Sequence, residues 1–342
     1  LDGIQFAASD AFVIKGSDRE FLAHSEGTAF LASLSVDNVF PRVHFVDATG
    51  IVVRGCKFTS DSSIQETVTF PSGSSSNITF ENCIFSSAGH ADSRFWEGAN
   101  KLTGTVTIRN CWITGHTSWM NFDLSSNGGL ASVALTSVVI QDCVFYNVKG
   151  SAAIRGLQGT PMTSCLIKGN RWFWDDSFAL HNLFWTAIEC NECLSITVED
   201  NEFLGKPSFK TTGTGYRGAV QCFSRDTQFA LVFKGNRVEN FNVALQLAFG
   251  NVGSPAQFYG LSSYEIDQGT CIGCWNFASL VYPWVGLDGS SNATTWQVLG
   301  GDKNPTITNL TLPVVKAAAD WSTSDPVNFQ GSSGSGSSGN TN

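Results

Sequence analysis

The segment Phe80-Glu81-Asn82-Cys83-Ile84-Phe85 joins two short apolar runs through a turn residue and a cysteine. The same order of apolar, variable, Gly/Asn/Asp, Cys/Asn, variable and apolar residues returns along the chain. The fourth position of the motif is occupied, 27 to 35 residues apart, by Cys56, Cys83, Cys111, Cys143, Asn170, Asn201 and Asn236. Weaker copies place this position at 17, 274 and 310. A fixed motif with elastic spacing predicts one structural unit that repeats with loops of variable length.

Each copy of the motif predicts a strand that runs into a turn. Apolar residues alternate before the turn, for example Ile78 with Phe80 and Val106 with Ile108. This period of two is the signature of a strand with one buried face. The Gly/Asn/Asp slot suits a left-handed backbone conformation, which these residues tolerate best. A second family of strands is predicted later in the coils, around 152–154, 187–189, 219–221 and 244–246.

These patterns predict an all-β chain: a single-stranded, right-handed parallel β-helix of about nine to ten coils. Inward side chains at the fourth motif position should stack about 5 Å apart as a Cys/Asn ladder. We expect the ladder to comprise Cys56, Cys83, Cys111, Cys143, Asn170, Asn201, Asn236 and Cys274. The predicted organisation is a β-helix over 1–312, a C-terminal cap segment over 313–330 and a Gly/Ser-rich tail over 331–342.

These coils resemble the pectin-lyase-like superfamily of right-handed β-helices, over roughly residues 14–312. The short motif is also similar to the repeats of surface β-helix proteins of trypanosomatid protists, the dispersed gene family. For the superfamily's enzymes the resemblance implies polysaccharide lyase or glycoside hydrolase activity. Such enzymes use carboxylates that hold Ca²⁺ with an Arg or Lys base, or paired Asp residues. The sequence has no Asn-Thr-Asp with a later Asp-Asp, Gly-His-Gly and Arg-Ile-Lys, and no Arg-x-Pro-x-x-Arg.

No catalytic residue, metal ligand or cofactor is therefore predicted. Asp175-Asp176 follows Trp172-Phe173-Trp174, which could form a sugar subsite or a solvated acidic turn beside core aromatic residues. The second interpretation is preferred. The five histidines lie on five different segments without the spacing of metal ligands.

The cysteines outside the ladder raise the question of disulfides. The ladder cysteines, together with Cys165 and Cys271, are interpreted as buried thiols that act as small apolar side chains. Cys190 and Cys222 occupy matching positions in successive coils and form a candidate disulfide. A local bridge from Cys190 to Cys193 is the alternative.

Composition favours an extracellular or cell-surface location. Only 14% of residues are charged, and the net charge is −9 without any basic stripe, so no nucleic-acid partner is expected. No apolar run approaches the length of a membrane span, so no membrane insertion is expected. Asn77, Asn292 and Asn309 begin glycosylation sequons. The first residues lack a leader pattern, as expected for a mature product or a fragment.

The functional prediction is a non-enzymatic extracellular structural or cell-surface protein, the subunit of a filament or appendage built by β-helix stacking. Its partners would be copies of itself, arranged head-to-tail or laterally, because the ends of a β-helix expose strand edges. Two alternatives stay open: a polysaccharide lyase or hydrolase, and a glycan-binding adhesin. A groove with three carboxylates and a base would favour the enzyme, and an exposed aromatic strip would favour the adhesin.

Overall fold

A computed structural model describes the parts of the chain that carry most of the repeats. The described ranges are 12–17, 20–22, 39–40, 43–60, 66–72, 75–87, 94–97, 102–115, 120–123, 135–148, 151–156, 161–175, 186–209, 218–224, 229–249, 251–252, 257–258, 261–266, 269–274, 276–282 and 294–299. The chain divides into two compact units. Unit 1 comprises Leu1–Leu157 and Leu166–Phe184, and unit 2 comprises Gln158–Cys165 and Trp185–Asn342.

The first part of the chain consists of short strands. They are β1 Phe12–Ser17, β2 Glu20–Leu22, β3 Val39–Phe40, β4 Val43–Arg54, β5 Lys57–Ser60, β6 Glu66–Ser72, β7 Ser75–Glu81, β8 Ile84–Ser87, β9 Arg94–Glu97, β10 Leu102–Arg109, β11 Trp112–Thr114, β12 Met120–Asp123, β13 Leu135–Gln141, β14 Val144–Tyr146, β15 Ser151–Arg155, β16 Ser164–Lys168 and β17 Arg171–Phe173.

Unit 1 is a parallel β-solenoid in which corresponding strands of successive coils pair in register. The strands before the turn pair as β4–β7–β10–β13, with Ile51 opposite Ile78 and Val106 opposite Val138. The strands after the turn pair as β3–β5–β8–β11–β14–β17. A third series pairs β6 with β9, β9 with β12 and β12 with β15. The predicted parallel solenoid is confirmed.

Unit 2 continues the same plan with its own strands. They are β18 Thr186–Asn191, β19 Ser195–Glu199, β20 Glu202–Leu204, β21 Gly218–Ser224, β22 Phe229–Lys234, β23 Arg237–Glu239, β24 Val243–Phe249, β25 Asn251–Val252, β26 Gln257–Phe258, β27 Leu261–Ile266, β28 Thr270–Ile272, β29 Asn276–Tyr282 and β30 Thr294–Leu299. A 3-10 turn spans Pro207–Phe209.

Among the described strands of unit 2, pairing is parallel except at two places. The parallel series are β19–β22–β27, β20–β23–β28 and β18–β21–β24–β29. The strand β30 runs antiparallel to β29, and β25 runs antiparallel to β26. The sequence analysis did not predict these antiparallel pairs. The β30 strand adds hydrogen bonds along the edge of β29, which a parallel coil would otherwise have to cover.

The turn slot of the motif adopts the left-handed conformation predicted for it. Its φ angles lie between 51° and 67° at Gly55, Asn82, Asn110, Asp142, Gly169, Asp200 and Gly235. The slots also contact one another between coils. A Cβ atom on Gly169 would lie 2.3 Å from Asp142 Oδ1, and one on Gly235 would lie 2.3 Å from Asp200 Oδ1. Gly is therefore needed where the carboxylate of the preceding coil covers the turn.

The core of each unit lies between the strand series. Phe58 and Phe85 stack with ring centroids 5.2 Å apart, and Phe80 meets both rings edge-on. Phe145 and Trp172 stack with centroids 4.4 Å apart and an interplanar angle of 5°. All of these rings are fully buried. Each ring repeats at the same position in its coil, so burial and stacking reinforce the same register.

Candidate functional site

We define the interior column as the inward residues that follow the turn slots. They are Cys56, Cys83, Cys111, Cys143 and Asn170 in unit 1, and Asn201 and Asn236 in unit 2. The prediction that Cys274 belongs to this column is wrong, because Val238 pairs with Cys271 and position 274 therefore aligns with Phe241 rather than with Asn236. The thiols make weak hydrogen bonds between coils. The Cys111 N–H donates to Cys143 Sγ at 3.5 Å, and Cys143 Sγ donates to the Ile108 carbonyl at 3.4 Å. The Cys83 N–H donates to Cys111 Sγ in the same way, at 3.4 Å.

The asparagines of the interior column make the same contacts at shorter distances. The Asn201 N–H donates to Asn236 Oδ1 at 3.1 Å, and Asn236 Nδ2 donates to the Val198 carbonyl at 2.9 Å. The Asn201 amide group also donates to Asn236 Oδ1, at 3.0 Å. In unit 1 the Cys143 N–H donates to Asn170 Oδ1 at 2.9 Å. These contacts satisfy buried polar groups that would otherwise destabilise the coil. The interior column therefore supplies hydrogen bonds between successive coils.

The outer face of unit 1 carries an aromatic group where a solvated solenoid would present polar residues. We define the outer aromatic cluster as Trp112 of β11, Tyr146 of β14 and Phe173 of β17. Tyr146 and Phe173 are neighbours in register, with ring centroids 4.8 Å apart. Trp112 reaches them from the adjacent row, with centroids 5.8 Å from Tyr146 and 6.1 Å from Phe173. All three side chains are partly exposed.

Polar groups border the outer aromatic cluster. The Tyr146 hydroxyl donates a short hydrogen bond to the Asp175 carboxylate, and this bond raises the pKa of Tyr146 above its ordinary value. The Asp175 N–H donates to Asn147 Oδ1 at 2.9 Å, which fixes the carboxylate beside the rings. The exposed Arg171 places its guanidinium 5.1 Å from the centre of the Phe173 ring. Rings, carboxylate and guanidinium therefore form one surface.

The aromatic residues 172–174, which the sequence analysis considered as part of a sugar subsite, do not all face the same way. Trp172 and Trp174 are buried, and the Trp174 indole N–H donates to the Val148 carbonyl at 2.7 Å. Phe173 and Asp175 face outward and join the outer aromatic cluster, whereas Asp176 lies outside the described residues. The preferred interpretation, an acidic turn beside core aromatic residues, is therefore right for the tryptophans and wrong for Phe173.

Sequence reasoning missed the contributions of Trp112 and Tyr146. A usable signal was present, because the residue after the Cys/Asn position always points outward in the strand that follows the turn. Trp112 occupies that outward position in its coil, and Tyr146 occupies the next outward position in the following coil. Comparing outward positions between coils would have brought the two side chains onto one face.

The glycosylation sequons are only partly covered by the described residues. Asn77 is exposed in β7, with φ at 55°, and its Oδ1 accepts a hydrogen bond of 3.0 Å from the Thr105 N–H. Asn292 and Asn309 lie outside the described residues, as do the predicted cap segment 313–330 and the tail 331–342. Glycosylation at the three sites stays a prediction.

The structure does not contain the candidate disulfide. All ten cysteines lie among the described residues, and each is an unbridged thiol. Nine are buried, whereas Cys271, which the sequence analysis placed in the core, is partly exposed. Cys190 and Cys222 are directly opposite in the β18–β21 pairing, as the matching of coils predicted. The closest sulfur recorded for Cys190 is nevertheless that of Cys165, at 3.8 Å. The alternative bridge to Cys193 is not formed either.

Two rows of charged side chains lie on the outer face of the strands before the turn. In unit 1 Glu81 lies between Arg54 and Arg109, and it makes an ion pair with each. In unit 2 the pattern is reversed, because Lys234 lies 3.5 Å from Glu199 and 3.1 Å from Glu265. Among the described residues, no group of three or more His, Cys, Asp and Glu side chains could hold a metal ion.

Comparisons with models of protein families, with curated proteins and with solved structures found no match. Membership of the pectin-lyase-like superfamily therefore stays a prediction, whereas the parallel β-solenoid is observed. Within the described ranges, no helix has the length and apolar character required to span a membrane.

Proposed function

We propose that this chain is an extracellular, right-handed β-helix that binds glycans through the outer aromatic cluster. The observation that carries the proposal is the contact of Trp112, Tyr146 and Phe173 on the outer face of unit 1, bordered by Asp175 and Arg171. Partly exposed aromatic groups on a solvated face are typical of interaction sites. In the same proposal the Cys/Asn ladder runs through about nine to ten coils and supplies a rigid support.

The chemistry of the outer aromatic cluster favours neutral, hydroxyl-rich glycans. Aromatic rings present apolar surface to the C–H face of a sugar ring, and polar groups at their edge fix its orientation. The Asp175 carboxylate and the Asn147 amide can accept or donate hydrogen bonds to sugar hydroxyls. A carboxylate at the site and a net charge of −9 disfavour polyuronates by repulsion. We therefore expect neutral oligosaccharides to bind better than acidic ones.

Isothermal titration calorimetry of the full chain tests the proposal with three hexasaccharides: cellohexaose, chitohexaose and hexagalacturonate. The informative variant is Trp112→Ala, which should weaken binding of the preferred neutral sugar about tenfold through lost ring contact. Tyr146→Phe removes only the hydroxyl that meets Asp175 and should have a smaller effect. Ile84→Ala is the matched control, because Ile84 faces outward in the same row as Trp112.

Equal binding by the wild type, the Trp112→Ala variant and the Ile84→Ala variant would contradict the proposal. So would the absence of binding to each of the three hexasaccharides. Circular dichroism of every variant checks that the β-rich fold is retained. If the sugars are shortened during incubation, the alternative of a polysaccharide lyase or hydrolase gains support, and the binding proposal must be replaced.

A second candidate function is self-assembly into a filament or appendage, which the exposure of Ile272 favours. Ile272 lies in β28, which pairs with β23. Ile272 is 50% exposed, in register with Glu239 of the preceding coil. A second copy that packed against this side chain would remove its apolar surface from water.

Light scattering and electron microscopy of the purified chain test the second candidate. Ile272→Asp should reduce assembly at high concentration, because a charge at the contact would have to be buried. Leu194→Asp is the matched control, since Leu194 is similarly exposed at 45% but lies outside β28. A wild-type chain that stays monomeric at high concentration would contradict the assembly hypothesis.

A further inference from the structure

Four thiols that do not belong to the interior column lie in the core of unit 2. They are Cys165 in β16, Cys190 in β18, Cys193 beside the bridge to Met162, and Cys222 in β21. Each is at most 1% exposed. None of them takes the repeated turn-to-turn hydrogen bonds of the interior column. The proximity of these thiols raises the question of which of them could pair in a disulfide.

The geometry distinguishes between the pairs that these thiols could form. Cys190 and Cys222 are directly opposite on neighbouring parallel strands, so their Cα–Cβ bonds are nearly parallel and the disulfide torsion is unfavourable. Cys165 Sγ, in contrast, lies 3.8 Å from Cys190 Sγ. A disulfide requires about 2.05 Å between the two sulfurs, so the two side chains must move together from this contact for the bond to form.

We infer that Cys165 and Cys190 form a disulfide when the chain folds in an oxidising environment. The bond would join β16, the strand that precedes the turn at Gly169, to β18, and it would close a loop of chain between positions 165 and 190. Cys193 and Cys222 would then stay reduced. This pairing differs from both bridges that the sequence suggested, because in-register position indicates proximity of backbones and not of sulfur atoms.

The reaction needs a disulfide as oxidant, for which glutathione disulfide is sufficient. The thiolate of one cysteine attacks glutathione disulfide, forms a mixed disulfide and releases one glutathione thiolate. The second protein thiolate then attacks the mixed disulfide and releases the other glutathione. Two electrons pass to the oxidant, and the two protons from the protein thiols end on two glutathione molecules.

Burial decides when the bond can form. The hydrogen bond with Cys190 and burial raise the pKa of Cys165 well above its ordinary value. At Cys190 the hydrogen bond from Cys165 lowers the pKa, but burial and neighbouring groups outweigh it and leave the pKa raised. Thiolates are therefore scarce in the folded core, and glutathione cannot reach it. Oxidation should occur during folding, and the finished bond should resist reducing agents.

The test is to refold the full chain from the reduced, denatured state in a mixture of reduced and oxidised glutathione. Remaining thiols are alkylated, and disulfide-linked peptides are identified by mass spectrometry. We expect one linked pair, Cys165 with Cys190, and alkylated Cys193 and Cys222. Folded, reduced protein that is exposed to the same mixture should oxidise at least tenfold more slowly. Thermal unfolding of the oxidised chain should occur several degrees above that of the reduced chain.

Three variants keep the inference falsifiable. Cys165→Ala and Cys190→Ala should each abolish the linked peptide and remove the gain in Tm on oxidation. Cys222→Ala, the matched control from the same core, should retain both. A linked peptide that joins Cys190 to Cys222 or to Cys193 would overturn the inference, and so would complete alkylation of all four thiols after refolding. Each result is independent of glycan binding by unit 1.

Discussion

In unit 1 the interior column consists mostly of thiols, whereas in unit 2 Asn201 and Asn236 contribute amides. Cys143 and Asn236 show the difference most directly. Each accepts the N–H of the column residue one coil earlier, and each donates to the carbonyl three residues before that residue. The thiol of Cys143 and the amide of Asn236 therefore make equivalent hydrogen bonds to the preceding coil.

The hydrogen bonds of the thiol are longer than those of the amide. The contacts of Cys143 with Cys111 and Ile108 are 3.5 and 3.4 Å, whereas those of Asn236 with Asn201 and Val198 are 3.1 and 2.9 Å. Sulfur is a weak donor and acceptor, but it is also apolar enough to be buried at little cost. The amide makes stronger bonds, and its loss leaves more polar groups unpaired. The comparison predicts that unit 2 is more sensitive than unit 1 to truncation of the column.

The largest effect is expected for Asn236→Ala. The change removes the acceptor of the Asn201 N–H and the donor to the Val198 carbonyl, and leaves both groups buried. We expect the free energy of unfolding to fall by about 3 kcal/mol. Urea unfolding measures the loss, and hydrogen exchange at the Asn201 amide shows its position. Arg237→Ala, at an exposed neighbouring position, is the control; an equal loss there would contradict the role of the column.

The turn slots provide a test in which the two units should behave alike. Gly169→Ala in unit 1 and Gly235→Ala in unit 2 each force a Cβ atom against the carboxylate of the preceding slot, at positive φ. We expect each variant to lose about 2 kcal/mol of stability in urea unfolding. A loss in only one unit would show that the slots, like the column, differ between the units.

A smaller effect is expected for Cys143→Ala, the counterpart of Asn236→Ala in unit 1. The change removes a weak acceptor from the Cys111 N–H and leaves a small cavity, so we expect a loss of about 1 kcal/mol. Cys143→Asn should recover most of it, because the amide can use the same partners. Urea unfolding of the two variants sharpens the comparison. If the Asn variant is the less stable one, thiol and amide are not interchangeable here.

The charged rows of the two units also differ, because an acidic residue, Glu81, lies at the centre of the row in unit 1. Burial raises the pKa of Glu81, but hydrogen bonds and ion pairs with Arg54 and Arg109 outweigh it and bring the pKa below 4.5. The contribution of Glu81 is therefore present above its ordinary pKa and is lost as the pH falls through the folded pKa. Glu81→Gln should cost less than about 1 kcal/mol at neutral pH, and nothing at low pH. Urea midpoints against pH measure the difference.

The smallest effect on stability is expected for Lys234, the basic residue at the centre of the charged row in unit 2. Contacts with Glu265, and then with Glu199, raise the pKa of Lys234 above its ordinary value of 10.5. Its contribution is present below the unfolded pKa and is lost as the pH rises through the folded pKa. Lys234→Met should lower the urea midpoint slightly at neutral pH, and the difference should disappear at strongly alkaline pH. A difference that grows with rising pH would contradict the assignment.

Much of the fold could be predicted because the repeat carries three independent signals. Alternation before the turn predicted strands such as β7 and β10, and the Gly/Asn/Asp slot predicted positive φ, which Asn82 and Gly169 confirm. The elastic spacing predicted a solenoid. All three are local properties of the chain, and local properties are what a sequence pattern records most directly.

The parts that the sequence did not predict depend on side-chain direction. Trp112 meets Phe173 diagonally across rows, although two coils separate their strands. Cys165 meets Cys190 at 3.8 Å, although Cys222 is the partner in register. The strand β30 pairs antiparallel to β29 and therefore departs from the repeat, and no copy of the motif predicts it. Spacing predicts which backbones are neighbours, but not which side chains turn toward each other.

The order Arg171-Trp172-Phe173 in β17 has a consequence for the fidelity of folding. Trp172 is buried against Phe145, while Arg171 on one side is exposed. A slip of one residue would drive the guanidinium into the core and release the indole into water. The pairing of a strand can shift only by whole residues, so a shift of one residue exchanges its buried and exposed side chains. The alternation of exposed Arg171 with buried Trp172 therefore favours one register of β17 over its neighbours.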